Sequence, residues 1–248
     1  MRYKCLVFDH DDTTVDSTRN IHYPSFVEYV KKYKPEINYT LEEYVRYNFD
    51  PGVLEFFGEM CGLDEKEMEE EERFWYEYAK SHVAEAFPGI KEIMDQQKKE
   101  GGIVAVVSHS YAENILKDYA HNNLPEPDII LGWEQPLEER KPSPVPIQKI
   151  MKKYNLKPEE ILVIDDLKPG LVMAKAAGVP FAAACWCFDI PENEKYMREN
   201  AMFSIPNHIE DEYPVIIVLH RSREVNKTVA FRQWLNAVLP KRLIYALR

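Results

Sequence analysis

The feature that most constrains the fold is an alternation of short apolar segments with amphipathic segments from residue 89 onwards. Apolar runs such as 103–107 and 161–164 are each followed by a stretch whose apolar residues have helical spacing. Strands that alternate with helices are typical of a parallel sheet with helices on both faces. We therefore predict an α/β fold with a doubly wound parallel sheet, built from residues 1–17 and 88–216.

A purely helical pattern interrupts this alternation directly after the first predicted strand. Residues 18–87 contain apolar residues at helical spacing, and both Thr40–Glu43 and Asp64–Glu67 have the form of a capping box. We predict that this segment is a smaller, all-helical cap domain inserted into the core. The acidic run 64–72 is interpreted as the solvated first turns of a helix, where acidic side chains also suit the helix dipole.

Composition excludes several classes of protein. The chain has 248 residues, a net charge of −11 and no apolar run near the roughly 20 residues of a membrane helix. The acidic balance argues against nucleic-acid binding, and four cysteines are too few for a disulfide framework. The apolar stretch at the N-terminus is too short for a signal peptide. We therefore expect a cytoplasmic protein that binds neither nucleic acid nor membrane.

The C-terminal segment 217–248 differs in charge from the rest of the chain. Residues 221–248 contain seven Lys and Arg residues and one acidic residue. Apolar residues at 231, 234, 235, 238 and 239 have the spacing of an amphipathic helix. We expect a basic extension that packs as an extra helix on the acidic body, in preference to a helix that binds a partner or an anionic surface.

Polar side chains stand where the predicted strands end. In open parallel sheets, ligands bind at the carboxyl ends of the strands, so these residues are expected to meet at one edge. Carboxylates suit a hard cation, and a hydroxyl with an ammonium group suits a phosphate. Each residue alone has an ordinary structural explanation, such as a turn or a helix cap, but their joint placement favours a phosphate site. The residues are Asp9, Asp11, Ser108, Lys141 and the pair Asp165-Asp166.

These segments resemble the haloacid dehalogenase superfamily. Phe8–Ser17 is similar to its first motif, Asp-x-Asp-x-Thr, and Val107-Ser108 to its second. Lys141–Pro144 and Asp165-Asp166 are similar to the third and fourth motifs. The helical insertion resembles the superfamily's cap of the first type. The resemblance covers about residues 1–215, and the subgroup it is most similar to contains phosphoglycolate-phosphatase-like and phosphoglucomutase-like enzymes.

The resemblance implies a Mg²⁺-dependent phosphatase that hydrolyses a small phosphorylated metabolite through an aspartyl-phosphate. Asp9 would be the nucleophile, and Asp11 the general acid and base. Ser108 and Lys141 would bind the transferring phosphoryl group. The expected ligands of Mg²⁺ are Asp9, Asp11 (through its backbone carbonyl), Asp165 and Asp166.

Two residues depart from the family pattern. Asp12 stands where the family usually has Gly, and aspartate tolerates unusual turn dihedrals. His109 stands where Asn is common; we expect it to bind phosphate through its backbone N–H rather than its ring. In the cap, Arg46 is the residue we select for substrate recognition, since a guanidinium can bind a carboxylate or second phosphate. Further cap candidates are His22, Tyr23, Tyr44, Tyr47 and Trp75.

Other functions remain open at this point. A phosphosugar mutase similar to β-phosphoglucomutase would use the same residues, and a catalytically weak binding relative is suggested by Asp12. Dehalogenase chemistry needs no metal, so Asp11 and Asp165 argue against it. The order of the motifs disfavours a signalling receiver domain. The expected partner is a small phosphoester, and the sequence leaves monomer and homodimer open.

Overall fold

The computed structural model describes residues 3–206, so the predicted basic extension 217–248 lies outside the described residues. The described residues contain six strands, β1 to β6, and nine α-helices, α1 to α9. The strands are Cys5–Phe8, Ile103–Val107, Ile129–Leu131, Ile161–Asp165, Phe181–Cys185 and Phe203–Pro206. The helices are Tyr23–Tyr33, Leu41–Phe49, Val53–Glu55, Glu65–Ser81, Ile90–Lys99, Ala112–His121, Val145–Tyr154, Lys168–Ala177 and Pro191–Asn200.

All strand pairs in the described sheet are parallel, in the order β3-β2-β1-β4-β5-β6. The chain moves outward from β1 to β3 and then crosses back to place β4 on the other side of β1. The gap between β1 and β4 is therefore the topological switch point, where open sheets bind ligands. Phe8 pairs with Ile164, so both strands end at the same level. The predicted α/β fold with a doubly wound parallel sheet is confirmed.

Alternate residues of each strand pack against helices on opposite faces of the sheet. Leu6 and Phe8 of β1 belong to one buried cluster, which α5 and α6 cover. Cys5 and Val7 belong to a second cluster, which α7, α8 and α9 cover. Both faces are thus closed to water, which explains why the strands read as continuous apolar runs rather than as alternating ones.

Between β1 and α5 lie the four helices α1 to α4, which have a hydrophobic cluster of their own that includes Phe26, Phe56 and Phe57. Both predicted capping boxes are present, with Thr40 accepting from Glu43 N–H and Asp64 from Glu67 N–H. The exact division into a core of 1–17 plus 88–216 and a cap of 18–87 stays a prediction.

The structure corrects one expectation about α4, the longest helix in the described range. The acidic run was expected to be solvated, but Glu71 is only 9% exposed and Glu72 is half-buried. These two side chains face the space between the cap helices and the sheet. No helix in residues 3–206 combines the length and apolarity needed to cross a bilayer.

Candidate active site

Three charged side chains meet at the switch point between β1 and β4. Asp9 directly follows β1, Asp165 ends β4, and Lys141 comes from the connection between β3 and α7. The Lys141 Nζ lies 2.9 Å from Asp9 Oδ1 and 2.8 Å from Asp165 Oδ2. All three side chains are at least nine-tenths buried. The buried ammonium therefore holds the two carboxylates at the strand ends in fixed positions.

Asp165 has little freedom to move because helix α8 begins against it. Its Oδ1 accepts the Leu167 N–H at 2.9 Å. A Cβ at Gly170 would lie 2.1 Å from Asp165 Oδ2, so only glycine permits this approach. The neighbouring Asp166 is half-buried, accepts a hydrogen bond from Thr13 Oγ1 at 3.0 Å, and lines the cavity described below.

Asp9, Asp165 and Asp166 form a group that could hold a divalent cation. One ligand atom from each lies within 4.8 Å of the others. Within residues 3–206, one ammonium group, that of Lys141, pairs with this group, so the three carboxylates exceed the positive charge that faces them. An excess of buried, closely spaced carboxylate oxygens suits a hard ion such as Mg²⁺. Asp11 is not in this group, and its contact with a cation stays a prediction.

The surroundings shift the pKa of Asp9 and Asp166 upwards. Burial raises the pKa of Asp9 to about 7; Lys141 opposes this shift, whereas Asp165 and Asp11 add to it. Burial likewise raises the pKa of Asp166 well above its usual range, with the nearby carboxylates of Asp12 and Asp9 contributing. A bound cation would favour the ionised form of both groups and so reverse this effect.

The carboxylate of Asp11 accepts hydrogen bonds from several side chains. Ser17 Oγ donates to Oδ1 at 2.8 Å, and Ser110 Oγ donates to Oδ2 at 2.7 Å. Ser108 Oγ lies 3.3 Å from the same Oδ2. Burial raises the pKa of Asp11, but His22 and Ser110 outweigh it and hold the pKa well below the usual range. Asp11 is thus ionised in this arrangement.

His22 connects Asp11 to the cap. Its Nε2 lies 2.8 Å from Asp11 Oδ1, and its Nδ1 lies 2.8 Å from Trp75 Nε1. The indole N–H can only donate, so Nδ1 must carry a lone pair and Nε2 the proton. Burial lowers the pKa of His22, the Asp11 carboxylate outweighs burial, and the net shift is upward. The Trp75 bond nevertheless requires a neutral ring in this geometry, with Nε2–H donating to Asp11.

Asp12 occupies the turn where the resembling family usually has Gly. Its φ is +57°, in the left-handed region that glycine and aspartate tolerate. Its carboxylate Oδ1 accepts the Thr18 N–H at 3.0 Å, and burial raises its pKa to about 6. Asp12 therefore fits the backbone geometry and satisfies an N–H at the entry to the cap.

Ser108 and His109 follow β2 at the same edge of the sheet. Ser108 is 3% exposed, and its Oγ accepts the Ser110 N–H at 3.0 Å. The His109 Nε2 donates to the backbone carbonyl of Lys141 at 3.1 Å. Burial, followed by Lys141, lowers the pKa of His109 to about 3, so its ring is neutral. The ring lines the cavity, and binding of phosphate by the backbone N–H stays a prediction.

A cavity of about 240 Å³ separates the cap helices from the sheet edge. Asp11, Asp12 and Asp166 form its wall on the side of the sheet. On the side of the cap, its wall consists of apolar, aromatic and acidic side chains. These include Tyr44, Val45, Phe57, Met68, Glu71, Glu72 and Trp75.

Of the cap residues proposed for substrate recognition, the structure brings only some to this cavity. His22, Tyr44 and Trp75 line it. Arg46 does not: its guanidinium pairs with Glu42 at 2.8 Å and with Glu192 at 2.7 Å. The two acidic partners hold Arg46 on the outside of α2, away from the cavity. Tyr23 and Tyr47 pack instead against the aromatic cluster of the cap.

Sequence reasoning missed Ser110, Glu71, Glu72 and Trp133 as residues of the site. The Ser110 hydroxyl donates to Asp11 and does not cap the following helix, because α6 has no side-chain cap. A signal for the two glutamates existed, because they precede Trp75 by four and three residues on one helix. Residues at that spacing share a helix face. No comparable signal places Trp133, which lies in the connection after β3.

The chain is similar to a known protein family and to curated proteins. Residues 6–184 match the family model described as haloacid dehalogenase-like hydrolase. Pyrophosphatase PpaX from Bacillus cereus (strain G9842) is 24% identical over 225 residues, which are 90% of this chain and 100% of that protein.

Solved structures provide a second comparison. A haloacid dehalogenase-like hydrolase from Bacteroides fragilis superposes with a TM-score of 0.69 at 23% identity, over 82% of this chain and 95% of that one. A protein from Lactobacillus plantarum, described as a phosphoglycolate phosphatase, has a TM-score of 0.68 at 19% identity, over 88% and 99%. At these identities the likeness shows a shared fold.

Proposed function

The chain belongs to the haloacid dehalogenase-like hydrolase family, and from this premise we propose that it is a Mg²⁺-dependent phosphatase for a small phosphorylated metabolite. The observation that carries the proposal is the position of Asp9. Its carboxylate stands at the end of a buried strand, 2.9 Å from the Lys141 ammonium and beside Asp165 and Asp166. A rigid carboxylate next to fixed positive charge is suited to attack a phosphate ester.

The residues present fit a magnesium ion. We propose Asp9 and Asp166 as its side-chain ligands, because Asp166 lines the cavity whereas both oxygens of Asp165 already have partners. Asp165 then acts chiefly by holding Lys141. When bound, Mg²⁺ would neutralise charge on the phosphoryl group and so lower its repulsion of the Asp9 carboxylate.

The chain's own residues account for both half-reactions. In the first, an Asp9 oxygen forms a bond to phosphorus, the bond from phosphorus to the ester oxygen breaks, and the leaving oxygen takes a proton from the protonated Asp11 carboxyl group. In the second, Asp11 accepts a proton from a water molecule as that water attacks phosphorus, and the bond from phosphorus to Asp9 breaks. Water is consumed, and an alcohol and inorganic phosphate are released.

The contacts of Asp11 support its assignment to proton transfer. In the described arrangement it is ionised and accepts from Ser17, Ser110 and His22, which is the form required of the base in the second half-reaction. The proton that Asp11 accepts in the second half-reaction is the one that it donates to the leaving oxygen of the next substrate, while the neutral His22 ring keeps its Nε2 proton and orients the carboxylate. Lys141 and Ser108 are proposed to hold the phosphoryl oxygens.

The test is release of inorganic phosphate from a broad panel of phosphomonoesters, with Mg²⁺ and with EDTA. We expect turnover with Mg²⁺ and a loss of at least about a thousandfold in Asp9→Asn, since the amide is a far weaker nucleophile. Asp95→Asn is the matched control: it makes the same change at an exposed residue whose partner is Lys91.

Three results would contradict this proposal. One is undiminished activity of Asp9→Asn with an unchanged circular-dichroism spectrum. The second is isomerisation of a phosphosugar without release of phosphate, which would identify a mutase. The third is absence of turnover across the panel, which would favour a binding protein. A cytoplasmic location and a monomeric or homodimeric state stay predictions.

A further inference from the structure

We infer that the cavity between the cap and the sheet selects phosphomonoesters whose leaving group carries an organic cation, an amine or a quaternary ammonium group. The inference rests on the proposed phosphatase function and names the substrate class for the same cavity. It follows from the residues that form the cap side of the cavity wall.

The cap side of the wall is acidic, and the described residues that line it supply no compensating cation. Helix α4 contributes Glu65, Glu69, Glu71 and Glu72 to it. No lysine or arginine is found among the residues of the range 3–206 that line the cavity. The predicted anion-binding residue, Arg46, lies outside it. A carboxylate or second phosphate on the substrate would face like charges here, which is unfavourable, whereas a cation would be attracted.

Glu71 is the strongest single indication of a cationic ligand. It is 9% exposed and lines the cavity. Within the described part of the chain, no hydrogen-bond donor or cationic side chain pairs with its carboxyl group. Burial, followed by the charge of Glu72, raises its pKa to about 8. A buried carboxyl group without a partner is unfavourable, and a bound cation would supply that partner.

Glu72 adds an oriented negative charge beside Glu71. Its Oε1 accepts hydrogen bonds from Tyr111 OH and Trp133 Nε1, both at 2.6 Å. Both donors are neutral, so they fix the carboxylate without cancelling its charge. The negative charge of Glu72 is therefore held in a fixed position and is left available to a cationic ligand.

Two tryptophans complete this part of the wall. Trp75 and Trp133 both line the cavity, with ring centroids 6.3 Å apart and planes at 73°. Indole faces attract organic cations, and paired aromatic rings with carboxylates are how proteins commonly recognise quaternary ammonium groups. Arg140, which does not line the cavity, already places its guanidinium carbon 4.0 Å from the centroid of the Trp133 ring. The Trp133 ring therefore already binds one cation of the protein itself.

The phosphate end of the same cavity is formed by Asp11 and Asp166. A substrate with a phosphate at one end and a cation at the other would therefore find complementary charge at both, once Mg²⁺ and Lys141 bind the phosphate. A neutral substrate of the same shape would leave Glu71 unpartnered. The experiment therefore measures the preference of the protein for a cationic ester over an uncharged ester of the same shape.

The experiment compares esters matched in shape. Phosphocholine is paired with its uncharged carbon isostere, 3,3-dimethylbutyl phosphate, and phosphoethanolamine with propyl phosphate; phosphoglycolate serves as the anionic probe. Phosphate release with Mg²⁺ gives kcat/KM for each. We expect kcat/KM for at least one cationic ester to exceed that for its isostere by about tenfold or more, and phosphoglycolate to be the poorest substrate.

Glutamine variants show whether α4 is the source of the preference. At pH 9, above the pKa of about 8 of Glu71, Glu71→Gln and Glu72→Gln each remove a negative charge at nearly constant shape. Each should bring the ratio of cationic to isosteric kcat/KM towards one. Glu70→Gln is the control, because Glu70 is on the same helix, lies outside this cavity and pairs with Lys66. It should leave the ratio unchanged.

A binding measurement separates this inference from the proposed function. Calorimetric titration of phosphocholine and its isostere into Asp9→Asn, and into wild-type protein in EDTA, needs no turnover. Tighter binding of the cationic ester supports the inference even if no ester is hydrolysed. The inference would be overturned if a cationic ester and its isostere had equal kcat/KM and equal affinity. It would also be overturned if the ratio of their kcat/KM values were the same in wild type, Glu71→Gln and Glu72→Gln. Turnover of neutral esters would in that case leave the phosphatase proposal intact.

Discussion

Glu71→Gln should change how the stability of the protein depends on pH. Burial raises the pKa of Glu71 from 4.5 to about 8 in the folded protein. Only 9% of the residue is exposed, so water screens this effect weakly. Ionisation of the buried Glu71 carboxyl group lowers the stability of the folded protein. The amide of the variant does not ionise, so this loss is absent from it.

The sign follows from proton binding. Between the unfolded pKa of 4.5 and the folded pKa of about 8, the folded state binds more protons at this group than the unfolded state does. Stability of the wild type therefore falls as pH rises through this window. At about 1.4 kcal/mol per pKa unit, the full window corresponds to at most about 5 kcal/mol, reached above pH 8.

The assay is urea unfolding of wild type and Glu71→Gln at pH 5 to 9 in EDTA. The free energy of unfolding of the variant relative to wild type should rise by about 2–5 kcal/mol across this range, most steeply between pH 5 and 8. Burial of the amide adds an offset that does not depend on pH. Groups that titrate in both proteins, such as Asp9, cancel in the difference.

The same measurement on Glu70→Gln supplies the baseline, because it makes the identical change one position earlier on α4, at a half-buried residue that lies outside the cavity and pairs with Lys66. The contrary result is a free energy of unfolding that differs between Glu71→Gln and wild type by the same amount at every pH from 5 to 9. That result would show that the Glu71 carboxyl group is not held in an unfavourable, buried environment. The electrostatic reasoning for the cavity would then be wrong.

Three further changes test other contacts. Trp75→Phe removes the donor to His22 Nδ1, and kcat for phosphate release should fall by about fivefold, the effect of one hydrogen bond. Gly170→Ala, a change that usually stabilises a helix, should instead lower stability by about 1–3 kcal/mol in urea unfolding, because its Cβ would lie 2.1 Å from Asp165 Oδ2. Asp118→Ala should lower stability by about 1–3 kcal/mol, because the substitution leaves the buried His10 ring without its acceptor, Asp118 Oδ2 at 3.1 Å.

Each of these has its own control. Gly58→Ala places a Cβ 3.6 Å from Met68 Sδ, an ordinary contact, and should leave stability nearly unchanged. A stabilised Gly170→Ala would show that Asp165 has room to move. Retention of full kcat in Trp75→Phe would show that His22 needs no restraint from the cap. Wild-type stability of Asp118→Ala would show that His10 finds another acceptor.

Much of the core could be predicted from the sequence, because local chemistry decides it. The continuous apolar runs of β1, β2 and β4 indicate strands buried on both faces, and the polar residues directly after them must lie at one edge of a parallel sheet. The capping boxes of α2 and α4 depend on residues three positions apart and were correct for the same reason. Positions of Asp9, Ser108 and Asp165 therefore followed from short-range patterns.

The cap side of the site did not follow from such patterns. Arg46 had the chemistry of an anion-binding residue, but Glu42 and the distant Glu192 hold it outside the cavity. Glu71 and Glu72 looked like part of a solvated acidic run, yet the packing of α4 turns them towards Trp133 and the sheet edge. Which face of a charged helix is buried depends on partners far away in the sequence.

The sequence by itself determined the order of strands and helices, the residues at the strand ends and the family they resemble, because these depend on periodicity and on neighbouring residues. Only the tertiary structure decided the charge of the cavity and the partners of Asp11. A side chain's pKa, and its access to a ligand, are set by burial and by the groups packed against it, and packing brings those groups from β1, β2 and the cap to one place.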